Sequence, residues 1–205
     1  MLMIPIDTGN KAIKTENFEF HSGITALESM PGENEEALMF QDKYYRLSHE
    51  RNVYLPDKTL DDRYYLLTLF AIAKELEKLR QSRPFIPGEL ISMDLVVGLP
   101  PLYYRSQYKK FRDYFYREGR LVHCAYMGRS YRLTFSNVYV HMQTYAAYLY
   151  LAKELKLSTY PKVLMIDIGG YTLDYMLLEK GMILWNYTDS TGKGVISMYQ
   201  RVNKG

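Results

Sequence analysis

Apolar residues recur along this 205-residue chain with two different periods. Residues 2–6 form a short apolar run that stops at Asp7-Thr8-Gly9-Asn10-Lys11. Residues 12–15 and 18–20 then alternate apolar and polar, which predicts a hairpin or meander at the start. Residues 31–36, Pro-Gly-Glu-Asn-Glu-Glu, read as a polar loop, and residues 44–47 and 52–55 as short strands. Thr59, with Asp62 three positions on, has the form of a capped helix start. Leu66, Leu69, Phe70, Ala73, Leu76 and Leu79 follow at helical spacing, predicting a helix over 60–80 that Arg83-Pro84 ends. Residues 92–101 read as a buried strand running into a Gly/Pro turn. Tyr108, Phe111, Tyr114 and Phe115 share a face and predict a second helix over 105–118. Residues 121–140 predict two or three strands turning at 127–130, and residues 142–157 a third helix. Beyond Pro161 lies a second apolar hairpin, residues 163–178. Strands mixed with helices on this scale indicate an α/β domain.

Composition narrows the class without deciding it. A net charge of +3 and a pI near 8.7 do not describe a dedicated nucleic-acid binder. The 47% hydrophobic content is that of an ordinary globular protein, and 21 tyrosines imply many rings packed with their hydroxyls wet. The single cysteine, Cys124, excludes an internal disulfide and fits a reducing cytoplasm; its place in a predicted strand, with no base beside it, suits a buried thiol rather than a nucleophile. No apolar run approaches the roughly 20 residues a bilayer span needs. The first residues lack a basic stretch and meet Asp7 at once, unlike a secretory leader, so a cytoplasmic protein without a membrane partner is expected. Residues 103–132 carry eight basic side chains against two acidic ones, which reads as a solvated helix face or, less plainly, as a filament contact or DNA-facing strip. His123 and His141 have no partners at metal-ligand spacing. Ser190-Thr191-Gly192-Lys193-Gly194 is a scrap of a phosphate loop without its usual ending and carries little weight.

The candidate chemistry sits in two turns of one plan. In Ile4-Pro5-Ile6-Asp7-Thr8-Gly9-Asn10-Lys11 and in Ile166-Asp167-Ile168-Gly169-Gly170-Tyr171-Thr172-Leu173-Asp174, an apolar strand ends near an aspartate, glycine and hydroxyl residues follow, and a second strand begins. Glycine lets backbone N–H groups approach an oxyanion with no Cβ in the way. Thr8, Asn10, Tyr171 and Thr172 can add donors, and Lys14 can offset phosphate charge. Asp7 and Asp167 would repel a bare phosphate but suit Mg2+, which keeps several of its waters. Two such hairpins facing one another could clamp the tail of a nucleoside triphosphate.

On these residues the chain resembles the actin superfamily of actins, bacterial actin-like filament proteins, heat-shock chaperone ATPases and sugar kinases. Asp7-Thr8-Gly9-Asn10 with Lys14 matches the first phosphate motif, and Asp167 to Asp174 the second. Within the superfamily it is similar to plasmid-segregation actins of the ParM/StbA type, on Asp57-Lys58-Thr59, the leucine-rich helix after it, Val97-Gly98-Leu99-Pro100 and residues 138–143. The resemblance implies an actin-like, ribonuclease H-like α/β fold: a mixed sheet flanked by helices, domain I over 1–158 with a small inserted subdomain at 24–60, and a truncated start of domain II over 159–205. It implies ATP or GTP with Mg2+, self-association into filaments that hydrolysis destabilises, and an adaptor protein on plasmid DNA. By resemblance, Asp167 positions water and metal and Asp7 supports the metal. Phosphate contacts fall to Asp7, Thr8, Gly9, Asn10, Lys14, Gly169, Gly170, Tyr171 and Thr172. Gln143 either orients the attacking water or is simply a polar residue at a helix start.

Family members are longer, with an adenosine-binding glycine motif after the second hairpin. The resemblance therefore implies a first half plus the opening of a second, binding nucleotide weakly or not at all alone. The enzymatic status of the chain is open, although the parent would be an ATPase. Two other classes stand behind this reading. One is a non-catalytic half-actin assembly or capping protein; the other, ranked last, is a two-metal nuclease, for which Asp7, Asp167 and Asp174 are few carboxylates.

Overall fold

A computed structural model describes residues 2–33, 35–50, 55–86 and 88–202, with the side chains of 197 and 200–202 left aside. The predicted strand at 52–55 falls almost wholly outside the described residues. The chain forms two compact units, residues 1–97 with 109–139, and residues 98–108 with 140–205.

The first unit is built on a nine-stranded mixed sheet. Its strands are β1 (Leu2–Thr8), β2 (Ala12–Lys14), β3 (Glu19–His21), β4 (Ile24–Leu27), β5 (Leu38–Phe40), β6 (Lys43–Leu47), β7 (Leu90–Leu99), β8 (Val122–Tyr126) and β9 (Arg129–Met142). The order across the sheet is β3-β2-β1-β7-β9-β8-β5-β6-β4. β1 and β7 are parallel, with Ile4 beside Leu95 and Ile6 beside Val97. A parallel pair needs a crossover, and the helix α1 (Arg63–Arg80) lies in that connection. β1 alternates strictly: Ile4, Ile6 and Thr8 are buried, and Met3, Pro5 and Asp7 are exposed. Pro5, which has no N–H, sits where β1 has β7 alone beside it, since β2 reaches only Asp7 and Thr8.

α1 forms as the leucine spacing predicts, but it starts at Arg63 rather than residue 60. Thr59 does not cap it. The Thr59 hydroxyl donates to Asp57 at 2.6 Å, and Asp61 instead accepts from the Arg63 amide at 2.9 Å. Every residue from Tyr64 to Ala73 is buried, because the helix packs on β1, β2, β5 and β8 while Tyr65 meets Phe115 of α2 (Pro101–Tyr116). α2 begins four residues before the predicted start. Pro101 takes the first helical position, where its missing N–H costs nothing. β8 and β9 are a two-strand hairpin turning at Met127-Gly128, both left-handed, which matches the twist of the strands. The β5–β6 turn, Gln41-Asp42, is also left-handed and carries no glycine to announce it.

The second unit holds a three-stranded antiparallel sheet of β10 (Lys162–Ile168), β11 (Leu173–Glu179) and β12 (Met182–Thr191), with helices α3 (Gln143–Glu154) and α4 (Val195–Val202). Met142, Tyr148, Met176 and Leu178 form its core, with Val163 and Met165 packed against them. β10 is apolar on both faces, yet Leu164, Ile166 and Ile168 on the other face are each more than half exposed. Among the described residues, no helix is long and apolar enough to cross a membrane.

Candidate functional site

The first hairpin joins β1 to β2 with Asp7 opposite Lys14 and Thr8 opposite Ile13. Asp7 lies on the exposed face and Thr8 is fully buried. A Cβ on Gly9 would fall 2.5 Å from the Ala12 carbonyl oxygen, a backbone atom, so this turn closes only around glycine. Three side chains hold it from behind. The Ser22 hydroxyl donates to the Gly9 carbonyl at 2.6 Å, the Lys58 ammonium donates to the Thr8 carbonyl, and the Tyr64 hydroxyl donates to Asn10 Oδ1 at 2.5 Å. With Oδ1 taken, the Nδ2 end of Asn10 is the one turned elsewhere as a donor. Lys14 stands between two carboxylates, Asp7 across one strand pair and Glu19 across the other at 3.8 Å.

The second hairpin joins β10 to β11 with Asp167 opposite Asp174 and Ile168 opposite Leu173. Asp167 is exposed and Asp174 is buried, opposite Ser190 of β12. The Gly169 amide donates to the Thr172 carbonyl at 2.9 Å and closes the loop. The start of α4 then grips three of the loop's carbonyls: Gly194 N to Tyr171 O at 3.0 Å, Val195 N to Gly169 O at 3.0 Å and Ile196 N to Gly170 O at 2.9 Å. A Cβ on Gly194 would lie 2.5 to 2.6 Å from backbone atoms of Gly170, Tyr171 and Thr172, so the two segments meet without a gap. This contact fixes the electrostatics of the loop. In a planar trans peptide the C=O and the next N–H point in opposite directions. With the carbonyls of Gly169, Gly170 and Tyr171 turned to α4, the amides of Gly170, Tyr171 and Thr172 turn the other way. Three successive amides presented from one loop form the kind of concavity that takes an anion.

Gln143 is the first residue of α3, after Met142 with extended backbone. Its side chain lies on the end of β7: a Cβ on Gly98 would sit 2.6 Å from Gln143 Cγ and 3.3 Å from Nε2. The glycine of Val97-Gly98-Leu99-Pro100 is thus the space in which Gln143 rests.

Within the first unit the structure gathers Asp7, Thr8, Gly9, Asn10 and Lys14 on one turn. Within the second it gathers Asp167, Gly169, Gly170, Tyr171 and Thr172 on another. Sequence reasoning missed Lys58, Tyr64 and Ser22 behind the first turn, and Gly98 under Gln143. Lys58 is 2% exposed, which a lysine seldom is, and only its place in Asp57-Lys58-Thr59 hinted at a role. Beside it, burial opposes ionisation of Asp57, but bonds from Lys110 and from the Thr59 hydroxyl and amide outweigh this and hold its carboxyl below the usual 3.8.

Most basic side chains of the stretch at 103–132 have partners, several of them outside it. Lys110 pairs with Asp57 at 2.6 Å, Arg112 with Asp113 at 2.7 Å and Arg120 with Glu118 at 2.7 Å; Arg117 pairs with Asp62 and Arg129 with Glu77. Arg105 stacks over Trp185, and Arg132 donates to the Gly88 carbonyl. Cys124 is buried in β8, which pushes its thiol up to about 12. Among the described residues no three His, Cys, Asp or Glu side chains gather into a metal cage. A hydrated Mg2+ asks for less, one or two carboxylates beside a phosphate; exposed Asp7 on the first turn and exposed Asp167 on the second each offer one carboxylate of that kind.

Comparison with solved structures identifies the architecture. The AMPPNP-bound AlfA filament superposes with a TM-score of 0.67 at 17% identity, covering 100% of this chain and 76% of that one. Apo ParM of pSK41 gives 0.66 at 16% identity, covering 98% and 69%. An archaeal actin homologue in complex with ADP gives 0.73 at 16% identity, covering 98% and 65%. The fold is that of the actin-like ATPases. At these identities the likeness shows the fold alone. No protein-family model and no curated protein matches the sequence.

Proposed function

We propose that the chain belongs to a nucleotide-dependent actin-like filament protein that serves plasmid or DNA segregation, with ATP or GTP hydrolysis coupled to polymer dynamics. The observation that carries this reading is the second hairpin: α4 holds the carbonyls of Gly169, Gly170 and Tyr171, and peptide planarity turns the following amides to the other side, where an anion can be received. Two of the similar solved structures hold AMPPNP and ADP, and one is a filament, which agrees with a nucleotide and with self-association. The open apolar face of β10 agrees with self-association, since exposed apolar surface of this kind is often a contact surface.

The roles follow from chemistry. The turn amides of both hairpins and the Asn10 amide donate to phosphate oxygens, and Lys14 offsets their charge. Asp7 and Asp167 hold water around Mg2+, which when bound would screen phosphate charge and polarise the transferring phosphoryl group. Gln143, seated on Gly98, orients the attacking water, so that catalysis is positioning and charge stabilisation rather than covalent chemistry. The domain reading goes with this: domain I over 1–158 with its insertion at 24–60, and domain II opening at 159. An adaptor on DNA is the further partner, and the cytoplasm is the location.

Titration of ATP and of GTP with Mg2+ into this chain by calorimetry, followed by pelleting, tests the proposal. Nucleotide-dependent pelleting supports it. Pelleting that ignores nucleotide, with no heat of binding, favours the non-catalytic assembly protein. Magnesium-dependent cleavage of DNA or RNA, abolished in Asp7→Ala, would move the nuclease to the front.

A further inference from the structure

We propose that Lys58 is a positioning residue of the first hairpin: a buried ammonium that fixes the Thr8–Gly9 peptide and places positive charge behind the turn that receives phosphate. This rests on the phosphate-binding reading of that hairpin. An ammonium is costly to bury and is kept in a core only where it meets partners. Lys58 is 2% exposed, its ammonium donates to the Thr8 carbonyl, and it stands 5.2 Å from the centre of the Tyr64 ring. Tyr64 in turn holds Asn10 by its hydroxyl at 2.5 Å. Lys58 and Tyr64 therefore act on two residues of the same turn.

The adjacent carboxylate is occupied elsewhere. Asp57 accepts from the Thr59 amide at 2.9 Å, the Thr59 hydroxyl at 2.6 Å and the Lys110 ammonium at 2.6 Å. That arrangement anchors the 57–59 segment while Lys58 points inward to β1. Because the Thr8 carbonyl turns to Lys58, the Gly9 amide of the same peptide turns the opposite way, out of the core. The lysine thus does two things. It aims the Gly9 N–H at an incoming oxyanion, and it polarises that peptide in a dry setting where charge acts at longer range than in water.

A purely structural lysine and an electrostatic one differ in how they respond to ligand charge. The test is calorimetric titration of Mg2+-tripolyphosphate and of Mg2+-pyrophosphate into the wild-type chain and into Lys58→Met, which keeps the stem and removes the charge. Circular dichroism checks that the variant is folded. The expected result is roughly tenfold weaker tripolyphosphate binding in Lys58→Met and a smaller loss for pyrophosphate, with a shallower salt dependence. Equal affinities in the two proteins overturn the proposal and leave the phosphate reading standing. Equal loss for both ligands also overturns it, since that is what a merely structural residue gives. Failure of the wild-type chain to bind either ligand overturns the phosphate reading and this proposal with it. Should Lys58→Met unfold, the side-chain Cε signal of Lys58 in the wild-type chain decides: it moves on adding tripolyphosphate, and an unmoved signal overturns the proposal.

Discussion

Gly194→Ala is the sharpest perturbation the second unit offers. Gly194 is demanded by space, because a methyl group there would lie 2.5 Å from Tyr171 C, 2.6 Å from Gly170 O and 2.6 Å from Thr172 N. All three are backbone atoms, so no side chain can swing aside. The loop and the start of α4 must separate, which threatens the three bonds from Gly194, Val195 and Ile196 to the loop carbonyls. At about 1 kcal/mol for each bond, and with similar cost for overpacking if the segments stay together, the local loss is about 2–4 kcal/mol. Amide hydrogen exchange reads this directly. The amides of residues 194–196 should exchange about 30- to 1000-fold faster in the variant, since each 1.4 kcal/mol is tenfold. Gly192→Ala is the control, because nothing lies within 4 Å of the added methyl there, and it should be neutral or slightly stabilising. If Gly194→Ala exchanges like wild type, or if Gly192→Ala costs as much, the clamp between α4 and the hairpin does not exist as described.

Other expectations are simpler. Gly98→Ala would bring a methyl group 2.6 Å from Gln143 Cγ, so the Gln143 side chain must move, at a cost of about 1–3 kcal/mol in stability; on the proposed mechanism it should lower nucleotide hydrolysis by about 100-fold with nucleotide affinity kept, measured by phosphate release. Thr59→Ala should leave the helicity of α1 unchanged by circular dichroism, because the Thr59 hydroxyl is bonded to Asp57 and the N-cap position is Asp62. The Cys124 thiol is raised from 9.0 to about 12 by burial. Its contribution to stability is complete below pH 9 and is lost as the pH rises towards about 12, and iodoacetamide should label it in urea but not in the native chain at pH 8. Asp57 works in the opposite direction: its lowered pKa gives stability that is present above about pH 3.8 and is lost in acid, and Lys110→Met should shrink that loss in an acid denaturation series.

Much of this architecture can be read along the chain, and what escapes does so for definite reasons. Strands with plain alternation or continuous apolar runs, such as β1, β7 and β10, announce themselves through side-chain period alone. The leucine-rich α1 does so as well, but its first turn does not. Thr59 and Asp62 stand at capping distance in sequence, and the fold spends Thr59 on Asp57 instead. The turn at Gln41-Asp42 is silent because side chains other than glycine occupy its left-handed positions. At the candidate site, the two glycine-bearing turns are visible because local chemistry makes them. Lys58 and Tyr64 are not, since they reach the first turn across 50 and 54 residues, and Ser22 returns to it across 13 residues, beyond the hairpin itself. The basic stretch shows the same limit from the other side. Its charges look available in sequence, whereas Asp57, Asp62 and Glu77, which pair with Lys110, Arg117 and Arg129, lie more than 50 residues away.

The central claim is that the two glycine turns receive phosphate. Hydrogen exchange of this chain with and without millimolar Mg2+-tripolyphosphate, resolved to single amides, tests it without requiring a base-binding site. The claim predicts slowed exchange at Gly9, Gly170, Tyr171 and Thr172 and little change elsewhere. Unchanged exchange at these four amides, or protection confined to the basic surface at 103–132, would contradict it.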